Sequence, residues 1–335
     1  MASKLSIGNA LAELRRRQET DLERRRHGTN LLPPDALRPG AKSAIGVLMT
    51  TLGGQMRPIT AQDLVQFRRN ITALGDRVAK GITLQELVDA SRPEDLERAR
   101  EEIRHALPTR LTEGDVLMTT SSGPHSKVTR HVVHFVFDNY GAAVARPVSP
   151  PQAAQWLARE GRVRLECTCE RFTFWYRAVA TYGGFVAGRP ETGFPKQRNP
   201  HLIGVGCKHI LRAARELSSP FGRTYLAKMI AADRARLDAK KSPARPKVIT
   251  ASRTQADAEL SAQSRRTRSI STTDERQRRA LAASIRQAMP KGPAGTVQRD
   301  LAQTLARLKE RPDVTAQSIL AALQSVLDRP AKGAT

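Results

Sequence analysis

Residues 166–179, ECTCERFTFWYRAV, place two of the chain's three cysteines one residue apart, ahead of a run of aromatic residues. The third cysteine lies in GVGCKHILRAA (204–214), where a histidine follows it by two positions. The pattern is therefore Cys-x-Cys, a gap of 37 residues, and Cys-x-His. Three thiolates and one imidazole form a complete ligand set for tetrahedral Zn²⁺. The spacing predicts a zinc site with the ligands Cys167, Cys169, Cys207 and His209.

Two other interpretations of these residues stay open at the level of sequence. Cysteines are often buried for packing alone, with an unrelated histidine nearby, and thiols also serve redox chemistry. A zinc ion with four protein ligands keeps no open position for an activated water, so its role would be structural. The neighbouring Glu166 and Glu170 are predicted to be solvated at a strand end and to have no catalytic role.

The spacing of the hydrophobic residues changes along the chain between the alternation typical of strands and the spacing typical of helices. Residues 162–172 are predicted to form a strand that ends at the first ligand pair, and residues 206–219 a helix that begins at the second. Alternating patterns predict further strands at 114–120, 127–138 and 141–148. Two histidines of the second of these strands, three positions apart, fall on opposite faces and are assigned structural or solvent-facing positions.

Helical spacing dominates on both sides of this region. The sequence therefore predicts an α+β protein with a helical N-terminal region, a small module of antiparallel sheet plus helices around the zinc, and a basic helical C-terminal region. The predicted boundaries are a helical region at 1–112, the α+β module at 113–240, a basic linker or arm at 241–272, and a helical region at 273–335.

The positive charge is concentrated in the later part of the chain. The formal net charge is +24. Residues 1–120 carry 19 Lys/Arg against 16 Asp/Glu, whereas residues 121–335 carry 37 against 16. Such an imbalance favours contact with phosphates or with an acidic partner. The uncompensated candidates for contact with nucleic acid or a partner are Lys240, Lys241, Arg245, Lys247, Arg265, Arg266 and Arg268.

Other functional signals are absent from the sequence. It contains no nucleophile elbow, glycine-rich dinucleotide fingerprint or paired-carboxylate motif, so we expect no enzymatic activity and no small-molecule substrate. It contains no apolar run of the length that a membrane span needs, and residues 1–18 lack the features of a signal peptide. We therefore expect a protein made in the cytoplasm without a membrane partner.

The arrangement Cys-x-Cys…Cys-x-His, with the second pair opening a helix, resembles the SWIM-type zinc finger. In that family the four residues bind one zinc ion, and the finger is associated with DNA binding or protein–protein contact. The gap of 37 residues is long for the compact form of the motif. The gap ends in a Gly/Pro-rich loop that the compact form would lack.

A narrower resemblance covers residues 128–217. This part looks like a variant finger found in structural proteins of tailed bacteriophages, although Gly206 departs from the residues expected before the third cysteine. The shared features are Cys167, Cys169, Phe172, Asn199, Pro200, Cys207, Lys208 and His209.

The resemblance implies a non-enzymatic structural component of a tailed-phage virion, at the head or the head–tail junction. Its expected partners are other virion subunits in a multi-copy assembly, and its basic arms would contact those subunits or packaged DNA. The virion would be its location after synthesis in the host cytoplasm. The alternative is a DNA-binding protein with a SWIM-type finger, and an accessory to a metal-dependent nuclease or deaminase is a third interpretation.

Overall fold

The α+β class is confirmed in the computed structural model. The chain divides into two compact units, Met1–Ile270 and Ser271–Thr335. The structure describes residues 10–26, 32, 34–38, 48–78, 81–238, 245–266 and 269–288.

The elements of the first unit alternate between helices and short strands. Helices are α1 (Ala10–Arg26), α2 (Ala61–Val78), α3 (Leu84–Asp89), α4 (Pro93–Glu101), α5 (Tyr140–Ala145), α6 (Pro150–Glu160), α7 (Arg177–Tyr182), α8 (Lys208–Leu217), α9 (Pro220–Asp238) and α10 (Arg253–Arg265). Strands are β1 (Met49–Thr50), β2 (Arg57–Pro58), β3 (Ala106–Thr112), β4 (Asp115–Ser121), β5 (Arg130–Phe137) and β6 (Val163–Cys167). A 3₁₀ turn covers Pro34–Leu37 and a π-helical turn covers Phe172–Tyr176.

A four-stranded antiparallel sheet is the centre of the first unit. Its order is β3-β4-β5-β6, and β1 and β2 pair separately as a two-stranded sheet. Paired residues of an antiparallel sheet share a face, so Val133 and its partner Cys167 point to the same side as Phe135 and its partner Leu165. This side is buried in the main core, where α8 packs against all four strands.

The opposite face of the sheet is covered by α1. Leu14 of α1 packs there with Leu117 of β4 and Val132 of β5 in a small second cluster. An ion pair of 2.9 Å between Glu13 and Arg130 links the same helix to β5. Helix α1 is therefore fixed to the sheet by a few apolar side chains and by charged contacts.

The basic segment 241–272, predicted to be a linker or arm, contains the helix α10. Ser252 and Gln255 form a capping box at its start, which satisfies backbone N–H groups of the first turn. Just before α10, Ile249 exchanges two backbone hydrogen bonds of 2.9 Å with Leu111 on the outer edge of β3. Composition did not reveal this helix because its buried residues are few, and the contact that holds it lies far away in sequence.

The side chain of the buried Gln263 of α10 makes the backbone hydrogen bonds that a further strand would make at the β3 edge. Its side-chain amide donates to the carbonyl of Ala106 at 2.9 Å and accepts from the N–H of Ala106 at 3.0 Å. The exposed edge of a sheet invites pairing with other chains. The segment around α10 thus closes the β3 edge, and backbone bonds between Leu165 and the residues Phe185 and Ala187 cover the β6 edge.

The secondary-structure prediction for residues 141–148 is wrong. The segment was predicted to be a strand, and the structure has the helix α5 there, with Ala143 fully buried. Alanine is the strongest helix former, so the apparent alternation of Ala and Val carries little strand signal.

The second unit is described over one helix, α11 (Thr273–Ala288). Thr272 and Glu275 cap its start, since each accepts a backbone N–H of the other, at 3.1 and 3.0 Å. This helix begins where the sequence places the start of the C-terminal helical region, at residue 273. The rest of that region, residues 289–335, lies outside the described residues, and the predicted boundaries at 112 and 240 stay predictions.

We expect Gln263→Ala to destabilise the first unit by about 1–3 kcal/mol, because it leaves a buried backbone donor and acceptor of Ala106 without partners. Chemical denaturation followed by circular dichroism measures this change. Ser261→Ala, at an exposed position of the same helix, is the matched control and should change stability by less than about 0.5 kcal/mol. Equal stability of the two variants would show that the edge contact is dispensable.

Candidate metal centre

The two predicted ligand pairs are carried by two different elements. Cys167 is the last residue of β6, and Cys169 lies in the turn that follows it. Cys207 is the N-cap residue of α8 and His209 lies in its first turn. A helix N-terminus carries partial positive charge, which favours thiolate there.

The structure brings all four side chains to one point. One ligand atom from each of Cys167, Cys169, Cys207 and His209 lies within 4.8 Å of the others. Each of the four residues is at most 3% exposed, and the three cysteines are free of disulfides. A buried Cys₃His cluster that could hold a metal ion is therefore present, as the spacing predicted.

The hydrogen bonding of the cluster fits a metal ion. Both ring nitrogens of His209 are buried, and neither has a hydrogen-bond partner among the described residues. A buried polar group without a partner costs about 1–3 kcal/mol, and coordination by one ring nitrogen would remove part of that cost. The donors offered are three sulfurs and one imidazole nitrogen, which match the ligands of structural zinc sites.

The pKa values of the three thiols also fit a metal site. Burial raises the pKa of Cys167 and Cys207 well above the ordinary range of a thiol. Burial acts in the same direction at Cys169, but hydrogen bonds from the other two thiols outweigh it and lower the pKa of Cys169. The shift at Cys169 favours the thiolate that a metal ligand must be, and a metal ion that bound here would displace the protons of the other thiols.

The turn between the first ligand pair and the following helix is held by backbone contacts. The N–H of Phe172 donates to the sulfur of Cys169 at 3.3 Å. Thr168, between the two cysteines, donates its N–H to the carbonyl of Val132 and accepts the N–H of Val132 on its side chain, both at 3.0 Å. These contacts anchor the turn to β5 and set the direction of both sulfurs.

Lys208, between the second pair of ligands, is tied to another helix. Its ammonium forms an ion pair with Glu102, the C-cap residue of α4, and the lysine is 9% exposed. A Cβ atom at Gly123 would meet the carboxylate of Glu102 and the ammonium of Lys208, so a side chain there would displace this pair. The ion pair fixes the start of α8 relative to α4.

His131 lies beside the metal ligands, a position that was not predicted from the sequence. Its ring centroid lies 4.2 Å from that of His209, and burial lowers its pKa to about 3, so it is neutral at pH 7. The register places His131 on the same face as Val133 and Cys167, whereas His134 points to the face under α1. The two histidines are thus on opposite faces as predicted, and the same alternation would have placed His131 beside the ligands.

The prediction that Glu166 is solvated is wrong. Glu166 is 1% exposed, because α1 covers its side of β6. It accepts a hydrogen bond of 2.7 Å from Gln18 of α1 and lies 3.4 Å from Arg177, which also pairs with Asp21 of α1. Its partners lie up to 148 residues away in sequence, so local spacing held no signal for them. Glu166 holds α1 to the reverse side of the strand that carries Cys167.

The aromatic residues after the first ligand pair divide between core and surface. Phe172 and Tyr176 are fully buried in the core around the site. Phe174 is 36% exposed and Trp175 is partly exposed, with the guanidinium of Arg171 stacked 3.8 Å from its ring centroid. Phe174 lies two residues from both Phe172 and Tyr176 in the π-helical turn, on the side away from the core.

The predicted basic contact residues are mostly at the surface where the structure describes them. Arg245, Lys247 and Arg265 are exposed. Arg266 is also exposed and forms an ion pair of 3.0 Å with Glu259 of α10. The remaining predicted contact residues, Lys240, Lys241 and Arg268, lie outside the described residues.

Comparison with known proteins gives no relative: no protein-family model, no curated protein and no solved structure matches the chain. Among the described helices, none combines the length and the apolar character that crossing a membrane would need.

We expect His209→Ala to abolish stoichiometric metal binding, because it removes one of the four buried ligands. The matched control is His134→Ala, which removes a histidine from the opposite face of β5 and should leave the metal content unchanged. Elemental analysis of both purified variants measures this, and full metal content in His209→Ala would contradict the assignment.

Proposed function

We propose that the protein is a non-enzymatic structural component of a tailed-phage particle whose first unit is held together by one Zn²⁺ ion. The observation that carries the proposal is the complete and buried Cys₃His cluster at the centre of the fold. Zn²⁺ is the metal of choice because it binds three thiolates and one imidazole in tetrahedral geometry without redox chemistry.

A structural role follows from the number of ligands. A catalytic zinc usually has three protein ligands and one open position for water or substrate, whereas four protein ligands fill the tetrahedron. All four ligands here are buried, so solvent has no direct access to the ion. We therefore assign the ion no chemistry beyond holding Cys167 and Cys169 against Cys207 and His209.

The expected energetic effect of the ion is large. Structural zinc binding contributes about 10–16 kcal/mol in small zinc domains at pH 7. The net stability of a domain is about 5–15 kcal/mol. A site of this strength can decide whether the first unit is folded at all, which suits a component that must persist in an assembled particle.

The assembly role is supported by charge and by the resemblance of residues 128–217 to the phage-type variant finger. The net charge of +24 favours contact with acidic surfaces of neighbouring subunits or with the phosphates of packaged DNA. A position at the head or at the head–tail junction would offer both kinds of partner.

A DNA-binding protein with a SWIM-type finger is the second candidate. The exposure of Arg245, Lys247 and Arg265 favours it, because exposed and uncompensated basic side chains are suited to phosphate contacts. The two candidates differ in location, since a particle component remains with purified virions and a regulatory DNA-binding protein does not.

The test is to purify particles from an infected culture on a density gradient and to quantify the protein by mass spectrometry. We expect a constant copy number per particle across the particle peak, together with about one zinc ion per chain. A non-structural phage protein from the same lysate serves as the control for adsorption. Recovery of the protein only in the soluble fraction would refute the particle assignment and favour the second candidate.

A further inference from the structure

A groove of about 350 Å³ lies where the C-terminal half of α8 meets the start of α9 and the end of α10. Three arginines line it, Arg212 and Arg215 from α8 and Arg266 from the C-cap position of α10. Ser219 and Ser269 also reach it. Arg266 is one of the contact residues predicted from the sequence, and the fold brings the other two arginines beside it.

The groove depends on the helix that the metal site positions. Arg212 and Arg215 are three residues apart and therefore share a face of α8. Arg212 also follows the ligand His209 by three residues. Any loss of the first turn of α8 would move both guanidinium groups relative to Arg266.

Contacts hold the two arginines of α8 in place. The side chain of Arg212 is 3% exposed and lies 3.1 Å from a carboxylate oxygen of Glu216. The Nε of Arg215 donates to the carbonyl of Ser269 at 3.1 Å. A guanidinium has five N–H donors, and this bond of Arg215 uses one of them. Arg215 is exposed, so its terminal nitrogens can reach a ligand without a large change of conformation.

Arg266 approaches from the other side of the groove. Its guanidinium is held by Glu259 of α10 at 3.0 Å, and 52% of its side chain remains exposed. Glu259 also accepts a hydrogen bond of 3.1 Å from Gln263. The charge of Arg266 is thus oriented by a fixed carboxylate and remains open to solvent.

The acidic residue that lines the groove is paired with one of its arginines. Glu216 is 6% exposed, and one of its carboxylate oxygens lies 3.1 Å from Arg212. Burial raises the pKa of Glu216, and the charge of Arg212 acts against that shift. A neighbouring guanidinium thus offsets the charge of this carboxylate.

We propose that this arginine groove binds one phosphate group, with Arg215 and Arg266 as the principal contacts. Guanidinium groups suit phosphate because their planar N–H donors pair with two oxygens at once. The source of the phosphate rests on the proposed function, in which it belongs to the backbone of packaged DNA. The binding of the phosphate group itself needs only the groove.

The experiment compares wild type with the double variant Arg215→Gln/Arg266→Gln. The matched control is Arg159→Gln/Arg189→Gln, which removes the same charge from exposed positions outside the groove. Thermal unfolding is measured with inorganic phosphate against chloride at equal ionic strength. Binding of a short DNA duplex is measured across a salt series.

We expect saturating phosphate to raise the unfolding midpoint of wild type and control by roughly 2–4 °C, and to leave the groove variant unchanged. When the logarithm of the DNA association constant is plotted against the logarithm of the salt concentration, the slope should fall in magnitude by about 1–2 in the groove variant only. Equal stabilisation of all three proteins by phosphate would refute the proposal that the arginine groove binds a phosphate group. If phosphate stabilises wild type and control but not the groove variant, and none of the three proteins binds the duplex, the phosphate site is supported. The proposed contact with DNA is then refuted.

Discussion

Two pairs of side chains separated by 37 residues meet at one buried point, and this meeting determines where α8 lies. The first pair is fixed by β6 and the turn after it. The second pair occupies the first turn of α8, so the start of that helix must lie beside the end of the strand. Once the start is fixed, α8 runs along the core face of the sheet and contacts α3, α4 and α9.

The rest of the first unit is arranged around that helix. The ion pair between Lys208 and Glu102 joins α8 to α4, and the main core of the unit includes residues from Leu32 to Ile270. On the reverse side of β6, Glu166 and Arg177 hold α1. The Cys₃His cluster therefore lies where elements from the whole unit meet, beyond the ninety residues in which the resemblance to a zinc finger lies.

The site was predictable from the sequence because its signal is chemical and local. Within each ligand pair the two residues are only two positions apart, and this pattern of cysteine and histidine leaves few roles other than metal binding. The helix that begins at Cys207 follows from the spacing of its apolar residues. The helix α10 and the burial of Glu166 were not predictable in this way. Gln263 pairs with Ala106 across 157 residues, and Glu166 with Gln18 across 148, so neighbouring residues carry no information about either contact. The position of His131 could have been predicted, because the alternation of strand residues places it on the same face as the ligand Cys167.

The central claim is that one zinc ion joins the two ligand pairs through all four side chains. X-ray absorption at the zinc edge of the purified full-length protein tests it directly. We predict three sulfur ligands at about 2.3 Å and one nitrogen ligand at about 2.0–2.1 Å. A shell with fewer than three sulfurs, or with oxygen in place of the imidazole nitrogen, would contradict the account.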